Sequence, residues 1–271
     1  MFKSWNEIET KNPVGRSIRA MRKAVETVIT NDVPDAPPGG ALLYGPGGWG
    51  KTTIVNQVCD AHGIEPIQCE PSTYRDVLNA VELGATSRRP VVFDDPDLLL
   101  RNDRALAILK KSSNDDPRNR FYNGHRVDAA VFITTNEDMG NTSAWHSELK
   151  KHGPALNTRF RPVGVPDDRI AQREYTIGLA LYRGLISHNR NRTRRSARYR
   201  AEVLDWFWRN AGRLESLSPR ALIGIADAWE EPDAVEREIS LEGFLKDNPG
   251  LPMGCAIDFE ETIKASFRQA A

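Results

Sequence analysis

Cysteine is scarce, with three residues at positions 59, 69 and 255 of a 271-residue chain. They are odd in number and far apart, and no CxxC spacing or Cys/His cluster accompanies them. That excludes a zinc ribbon or knuckle and a disulfide framework. Reduced, mostly buried thiols in a cytosolic protein are the expectation. Long apolar runs are missing as well. The opening MFKSWNEIETKNP has no signal-peptide core, and no later stretch reaches the length of a membrane span, so we expect a cytoplasmic protein without a membrane partner. Charge of one sign is not in excess either. Lysine plus arginine and aspartate plus glutamate both number 37, giving a formal net charge of zero. Any nucleic-acid surface must then be a local patch. Repeats and low-complexity segments are absent. What is present is 39% hydrophobic and 27% charged residues, enough for one or two soluble domains with a sizeable core.

The core pattern is an alternation of strands and helices. Residues 16–29, RSIRAMRKAVETVI, place Ile18, Met21, Val25, Val28 and Ile29 at helical spacing. NDVPDAPPGG then breaks the helix. ALLYG reads as a strand, TTIVNQVCDAHG as a helix, PIQCE as a short strand and YRDVLNAVELG as a helix. PVVFD, DRALAILKKSS and DAAVFITTN continue as strand, helix and strand. Such alternation predicts an α/β fold, a mostly parallel sheet covered on both faces. From about residue 169 strand signals fade. IAQREYTIGLALYRGLI, SARYRAEVLDWFWRNAG and SPRALIGIADAWEE read as successive helices, with IDFEETIKASF as a closing helix. We therefore expect a core over residues 1–168, N-terminal helix included, and a small all-helical subdomain with a C-terminal extension over 169–271.

The stretch Gly45-Pro46-Gly47-Gly48-Trp49-Gly50-Lys51-Thr52 fits GxxxxGKT at every defining position, between an apolar strand and a helix. Glycines permit the tight path that turns backbone N–H groups toward phosphate oxygens, and the next helix adds its positive N-terminus. Lys51 can reach the β and γ phosphates of a nucleotide and the Thr52 hydroxyl can take a place on Mg²⁺; Trp49 and Thr53 are counted with the loop. Downstream, PVVFDDPD ends a strand in carboxylates. Asp94 is placed to hold the Mg²⁺-bound water beside Thr52, and Asp95 to orient or deprotonate the attacking water. Asp97, beyond Pro96, reads as a cap or loop residue. AAVFITTN ends in Thr134, Thr135 and Asn136, of which Asn136 is the better candidate for the γ-phosphate or the attacking water. Arg159 and, second, Arg161 in ALNTRFRPVGVP are candidates for a guanidinium that an adjoining subunit receives at its phosphates.

In this order the elements resemble the AAA+ ATPase family: Walker A at Gly45–Thr52, Walker B at Val91–Asp95, sensor 1 at Asn136 and an arginine-finger segment at Thr158–Arg161. Arg220 in SLSPRALI resembles sensor 2 at the start of a lid helix, although Ser-Pro-Arg also fits an N-cap and N1 proline. The resemblance spans roughly residues 14–231. It implies an αβα P-loop NTPase core followed by a helical lid, ATP and Mg²⁺, hydrolysis, and a homo-oligomeric ring or spiral, commonly a hexamer. NPVGR resembles the segment near adenine, with Val14 and Gly15 as contacts. One departure is chemical: the residue after the metal-binding aspartate is usually glutamate, and here Asp95 reaches one methylene less.

HNRNRTRRSARYR, residues 188–200, carries six arginines and no acid. Arg190–Arg200 thus read as a patch for DNA or RNA, as a surface for an acidic protein partner or the next subunit, or as a solvated linker. SSNDDPRNRFYNGHRVD, residues 112–128, reads as a projecting loop or as an N-G hairpin. The pattern is also similar to small phage or plasmid AAA+ proteins with DNA-replication or packaging roles. The leading expectation is an ATP-hydrolysing oligomer that remodels or loads a nucleic-acid complex. The alternatives are a protein-remodelling ATPase and an ATP-gated assembly scaffold.

Overall fold

The computed structural model describes residues 2–30, 39–114, 116–160 and 162–246. Arg161, Cys255, the closing-helix segment at 257–267 and most of the NDVPDAPPGG break lie outside the described residues. The chain divides into two compact units, one running from Ser17 to Val165, the other joining the stretch up to Arg16 to the stretch from Pro166 onward. Residues before Ser17 group with the helical unit.

In chain order the first unit contains most of helix α2 (Pro13–Ile29), then β1 (Gly40–Tyr44), α3 (Lys51–Ala61), β2 (Ile67–Cys69), α4 (Tyr74–Ser87), β3 (Val91–Asp94), α5 (Asp97–Arg101) and α6 (Asp103–Ser112). It continues with the short strands β4 (Phe121–Tyr122) and β5 (His125–Arg126), then β6 (Val131–Thr135), α7 (Ser147–Phe160) and β7 (Pro162–Gly164). The sheet has strand order β2-β3-β6-β1-β7, and every pairing in it is parallel. All five residues of β6 are buried, as are the first four of β1. A strand covered on both faces has no use for alternation, which is why ALLY and VVF read as continuous apolar runs. Phe93, Phe132, Leu42 and Phe160 are fully buried around it.

Local chemistry sets the element boundaries. Thr73 and Asp76 form a reciprocal capping box that starts α4, an arrangement that satisfies two otherwise orphaned backbone donors. Asn102 accepts from the N–H groups of Arg104 and Ala105 to start α6. β4 and β5 make an antiparallel hairpin across Asn123 and Gly124, which have φ of 48° and 87°. That left-handed pair is what a two-residue turn between right-twisted strands requires, so the FYNGHR segment is a hairpin.

In the second unit, α1 (Trp5–Lys11) joins α8 (Arg169–Arg183), α9 (Ala197–Asn210), α10 (Pro219–Ala228) and α11 (Ala234–Glu242). Ile177, Val203, Leu204, Phe207, Leu222 and Ile225 are central to its own apolar core. Trp5 packs on Tyr175 with ring centroids 5.5 Å apart. Helix α1 approaches α8 so closely that a Cβ on Gly178 would stand 2.2 Å from Ile8 Cδ1. Buried Asn12 ties the chain entry to α8 by donating to the Ala171 carbonyl at 3.0 Å, while its Oδ1 accepts from the N–H groups of Val14 and Gly15.

Candidate nucleotide site

Parallel strands all point their carboxyl ends to one edge of the sheet, and ligands of such folds lie outside that edge. Here the ends of β1, β6 and β3 are consecutive neighbours. Residues 45–50 leave β1 at this edge and enter α3. Gly50 has φ 72° and Gly45 φ 124°, backbone states that glycine reaches without the penalty a side chain incurs. Trp49 is buried, at 4% exposure.

Lys51, the first residue of α3, is buried, and its ammonium is turned back over the loop. Nζ donates to the carbonyls of Gly45 at 2.7 Å and Pro46 at 3.0 Å, and to Asn136 Oδ1 at 3.0 Å. An anion entering the loop would meet this ammonium together with the backbone N–H groups at the start of α3.

Next to it, Thr52 Oγ1 lies 2.6 Å from Asp94 Oδ1. Asp94 pairs in register with Thr134 across the β3–β6 ladder, and the Thr134 hydroxyl donates to the same Oδ1 at 2.6 Å. Asp95 is exposed and has φ 46°. Its N–H donates to the Thr134 carbonyl at 2.8 Å, and its Oδ2 accepts from Asn136 Nδ2 at 2.7 Å. Asn136 therefore bridges Lys51 on one side and Asp95 on the other. Thr53 is exposed on the first turn of α3. A hydroxyl beside a carboxylate, both hard oxygen donors, is the donor set that suits Mg²⁺ held with a nucleotide. The chain's own groups thus fit Mg²⁺ and a polyphosphate.

The core with its strand–loop–helix at the sheet edge decides the fold. It is an AAA+-like P-loop NTPase core, with a helical lid following it in sequence. The comparisons with known proteins are distant. No family model matches the chain. The large subunit of replication factor C from Methanococcus aeolicus is 28% identical over 127 residues, which is 41% of this chain and 25% of that protein. The match spans a quarter of that relative's length. Among solved structures, domain III of the replication initiation protein DnaA from Thermotoga maritima covers 84% of the chain at 16% identity and a TM-score of 0.45, with 92% of that domain matched. The FIGL-1 AAA domain in complex with ADP covers 99% at 13% identity and a TM-score of 0.48, with 91% of it matched. A katanin structure that explains self-assembly covers 98% at 14% identity and a TM-score of 0.46, with 90% of it matched. At these scores the fold assignment rests on strand order and on the loop.

The other candidates lie elsewhere in the chain. Arg159, in the last turn of α7, is half-buried, and its Nη1 donates to the Lys110 carbonyl at 2.7 Å. Arg220 is exposed in the first turn of α10, behind the Ser218 N-cap and Pro219. In the basic segment, residues 197–200 belong to α9. Arg195 is buried and bonds Asp227 at 2.6 Å and Glu230 at 2.8 Å. Arg190 also reaches Asp227, and Arg198 pairs with Glu202 along α9. Arg192 and Arg194 are exposed and without an ion-pair partner among the described residues. Asp103, Glu148 and His152 also bring ligand-type atoms within 4.8 Å of one another, but the Lys151 ammonium already sits 2.9 Å from Asp103. Among the described residues no helix is long and apolar enough to cross a membrane.

Proposed function

We propose that this protein is an ATP-binding and ATP-hydrolysing AAA+ switch that works as an oligomer on a nucleic-acid complex. The observation that carries the reading is the glycine loop between β1 and α3, with the Lys51 ammonium turned back over it and the Thr52–Asp94 pair beside it. Lys51 exchanges the Gly45 and Pro46 carbonyls for phosphate oxygens. In doing so it releases Asn136 Oδ1, so that phosphate occupancy is reported through Asn136 to Asp95. Thr52 and Asp94 hold the nucleotide's Mg²⁺, which when bound neutralises charge on the phosphoryl oxygens. Asp95, exposed and oriented by Asn136, orients water or takes its proton. Arg159 serves as the finger for a neighbouring subunit. One of its five N–H donors is spent on Lys110, leaving four. Arg161 is the second candidate for that finger, and Arg220 is the candidate for sensor 2 on its own helix.

Two features favour nucleic acid as the target. Arg192 and Arg194 are exposed guanidinium groups without an ion-pair partner among the described residues, the chemistry that binds phosphodiesters, and the sequence match is to a protein named for replication. A second reading has its own support. Asp95 stands where glutamate is usual, and its carboxylate is engaged by Asn136, which favours an ATP-gated assembly scaffold with slow turnover. Turnover measured alone, then with single-stranded DNA, duplex DNA, RNA and a non-nucleic polyanion, separates the readings. Stimulation by one nucleic acid supports the first. Assembly on ATP with no turnover under any condition supports the scaffold, and stimulation confined to a protein substrate supports a protein-remodelling ATPase. Lys51→Ala tests the shared premise. Losing a charge-assisted contact worth ~1.5–3 kcal/mol weakens ATP binding by about ten- to a hundredfold, and an unchanged affinity removes the nucleotide from the loop.

A further inference from the structure

Thr134 has no task in the reaction set out above, yet its hydroxyl lies against the metal-holding pair. It is fully buried, the fourth residue of β6, in register with Asp94 on one side and Leu43 on the other. Strand pairing therefore fixes its position independently of any ligand. Its Oγ1 is 2.6 Å from Asp94 Oδ1 and 3.2 Å from Thr52 Oγ1, and Thr52 Oγ1 is itself 2.6 Å from Asp94 Oδ1. Each hydroxyl has one proton and two lone pairs. With both protons given to Asp94 Oδ1, the Thr52 lone pairs face away from the carboxylate. Asp94 Oδ2 accepts no protein hydrogen bond among the described residues. One carboxylate oxygen is thus pinned by two threonines while the other is left open.

We propose that Thr134 is a positioning residue for the divalent cation: its hydroxyl fixes the rotation of the Asp94 carboxylate, so that Oδ2 and the Thr52 oxygen stay directed at the metal. This rests on the reading that Thr52 and Asp94 hold nucleotide-bound Mg²⁺. Outer partners of this kind change metal affinity by about ten- to a hundredfold when removed. Valine has the shape of threonine without the hydroxyl, and serine has the hydroxyl without the methyl group.

The test is a Mg²⁺ titration of fluorescent ATP-analogue binding by the full chain, with binding in EDTA and thermal melting alongside. For Thr134→Val we expect the half-saturating Mg²⁺ concentration to rise by about tenfold, with binding in EDTA unchanged and the nucleotide-free melt close to wild type. Thr134→Ser should return the titration to the wild-type curve. If valine disturbs the fold, Thr134→Ala gives the same comparison without added bulk at the site. A wild-type protein that binds no nucleotide overturns the functional reading and this inference together. A wild type that responds to Mg²⁺, beside a valine variant with the same titration curve, overturns the positioning role alone. Equal losses in EDTA and in Mg²⁺, not reversed by serine, reduce Thr134 to a packing role and overturn it too.

Discussion

Asp95 holds a left-handed backbone, φ 46°, which costs a residue with a side chain about 1–2 kcal/mol. Its N–H is tied to the Thr134 carbonyl and its carboxylate to Asn136, so its neighbours on β6 determine the strained geometry. Strain of this kind collects at functional sites. Here it turns the shorter acid outward at the strand end, toward the loop edge. If Asp95 activates water, Asp95→Asn keeps ATP affinity while single-turnover hydrolysis falls by about 10²–10⁴-fold. Asp95→Glu restores the usual reach and should preserve or raise the rate. Normal hydrolysis by the asparagine variant would assign the base elsewhere.

Elements show which charges support the fold and which remain for partners. Arg195 is buried between Asp227 and Glu230 and fastens the loop before α9 to the end of α10. Removing one partner of a buried pair strands the others, so Arg195→Ala should cost about 3 kcal/mol, read in a denaturant melt. Arg192→Ala with Arg194→Ala should leave the melt within about 0.5 kcal/mol and lower the salt slope of DNA binding by about 2. An unchanged slope would assign those guanidinium groups to a protein partner. A second clasp joins α6 to α7. The Lys151 ammonium and the His152 ring bond Asp103 and hold its carboxyl down at about 2, with Glu148 the other acid beside it. A depressed folded pKa gives stability that is complete above the unfolded value near 4 and drains away as pH falls toward about 2. Asp103→Asn should therefore melt below wild type at pH 7, and the gap should narrow from about pH 4 and close only below about pH 2. Half of the side chain faces water, so added salt should narrow the gap as well. A difference that stays constant across that window would deny the clasp its electrostatic origin.

The same contrast explains what the sequence made legible. GxxxxGKT, the Asp94 strand end and the period of the helices are local patterns, and the parallel core follows from them. Asp227 and Glu230 lie 32 and 35 residues beyond Arg195, so the arginine run reads as one patch although its buried member is structural. Thr134 sits inside an apolar run, and only the register of β3 against β6 brings it to Asp94. Helix α11 carries little apolar signal: Val235 and Ile239 are exposed at 66% and 63%, and Leu241 is its buried anchor.

At the scale of the whole molecule, the question is whether one subunit completes another's site. Arg159 caps the α6 carbonyl at Lys110 within its own chain, and that contact alone would make it an ordinary structural residue. A finger acting in trans predicts a loss on the order of 10³-fold in turnover for Arg159→Ala, with ATP binding retained. A purely structural arginine predicts a lowered melt and weakened binding together. Mixing separates the two without depending on the size of either effect. At an ATP concentration that leaves the weakened Lys51→Ala sites largely empty, those subunits still present Arg159, and subunits carrying Arg159→Ala bind ATP but present no finger. In co-assembled mixtures, an Arg159→Ala site facing a Lys51→Ala neighbour is complete. Turnover should then rise from near zero at either pure composition to a maximum between them. Mixtures shown by light scattering to co-assemble, yet inactive at every ratio, would place Arg159 in the service of its own fold.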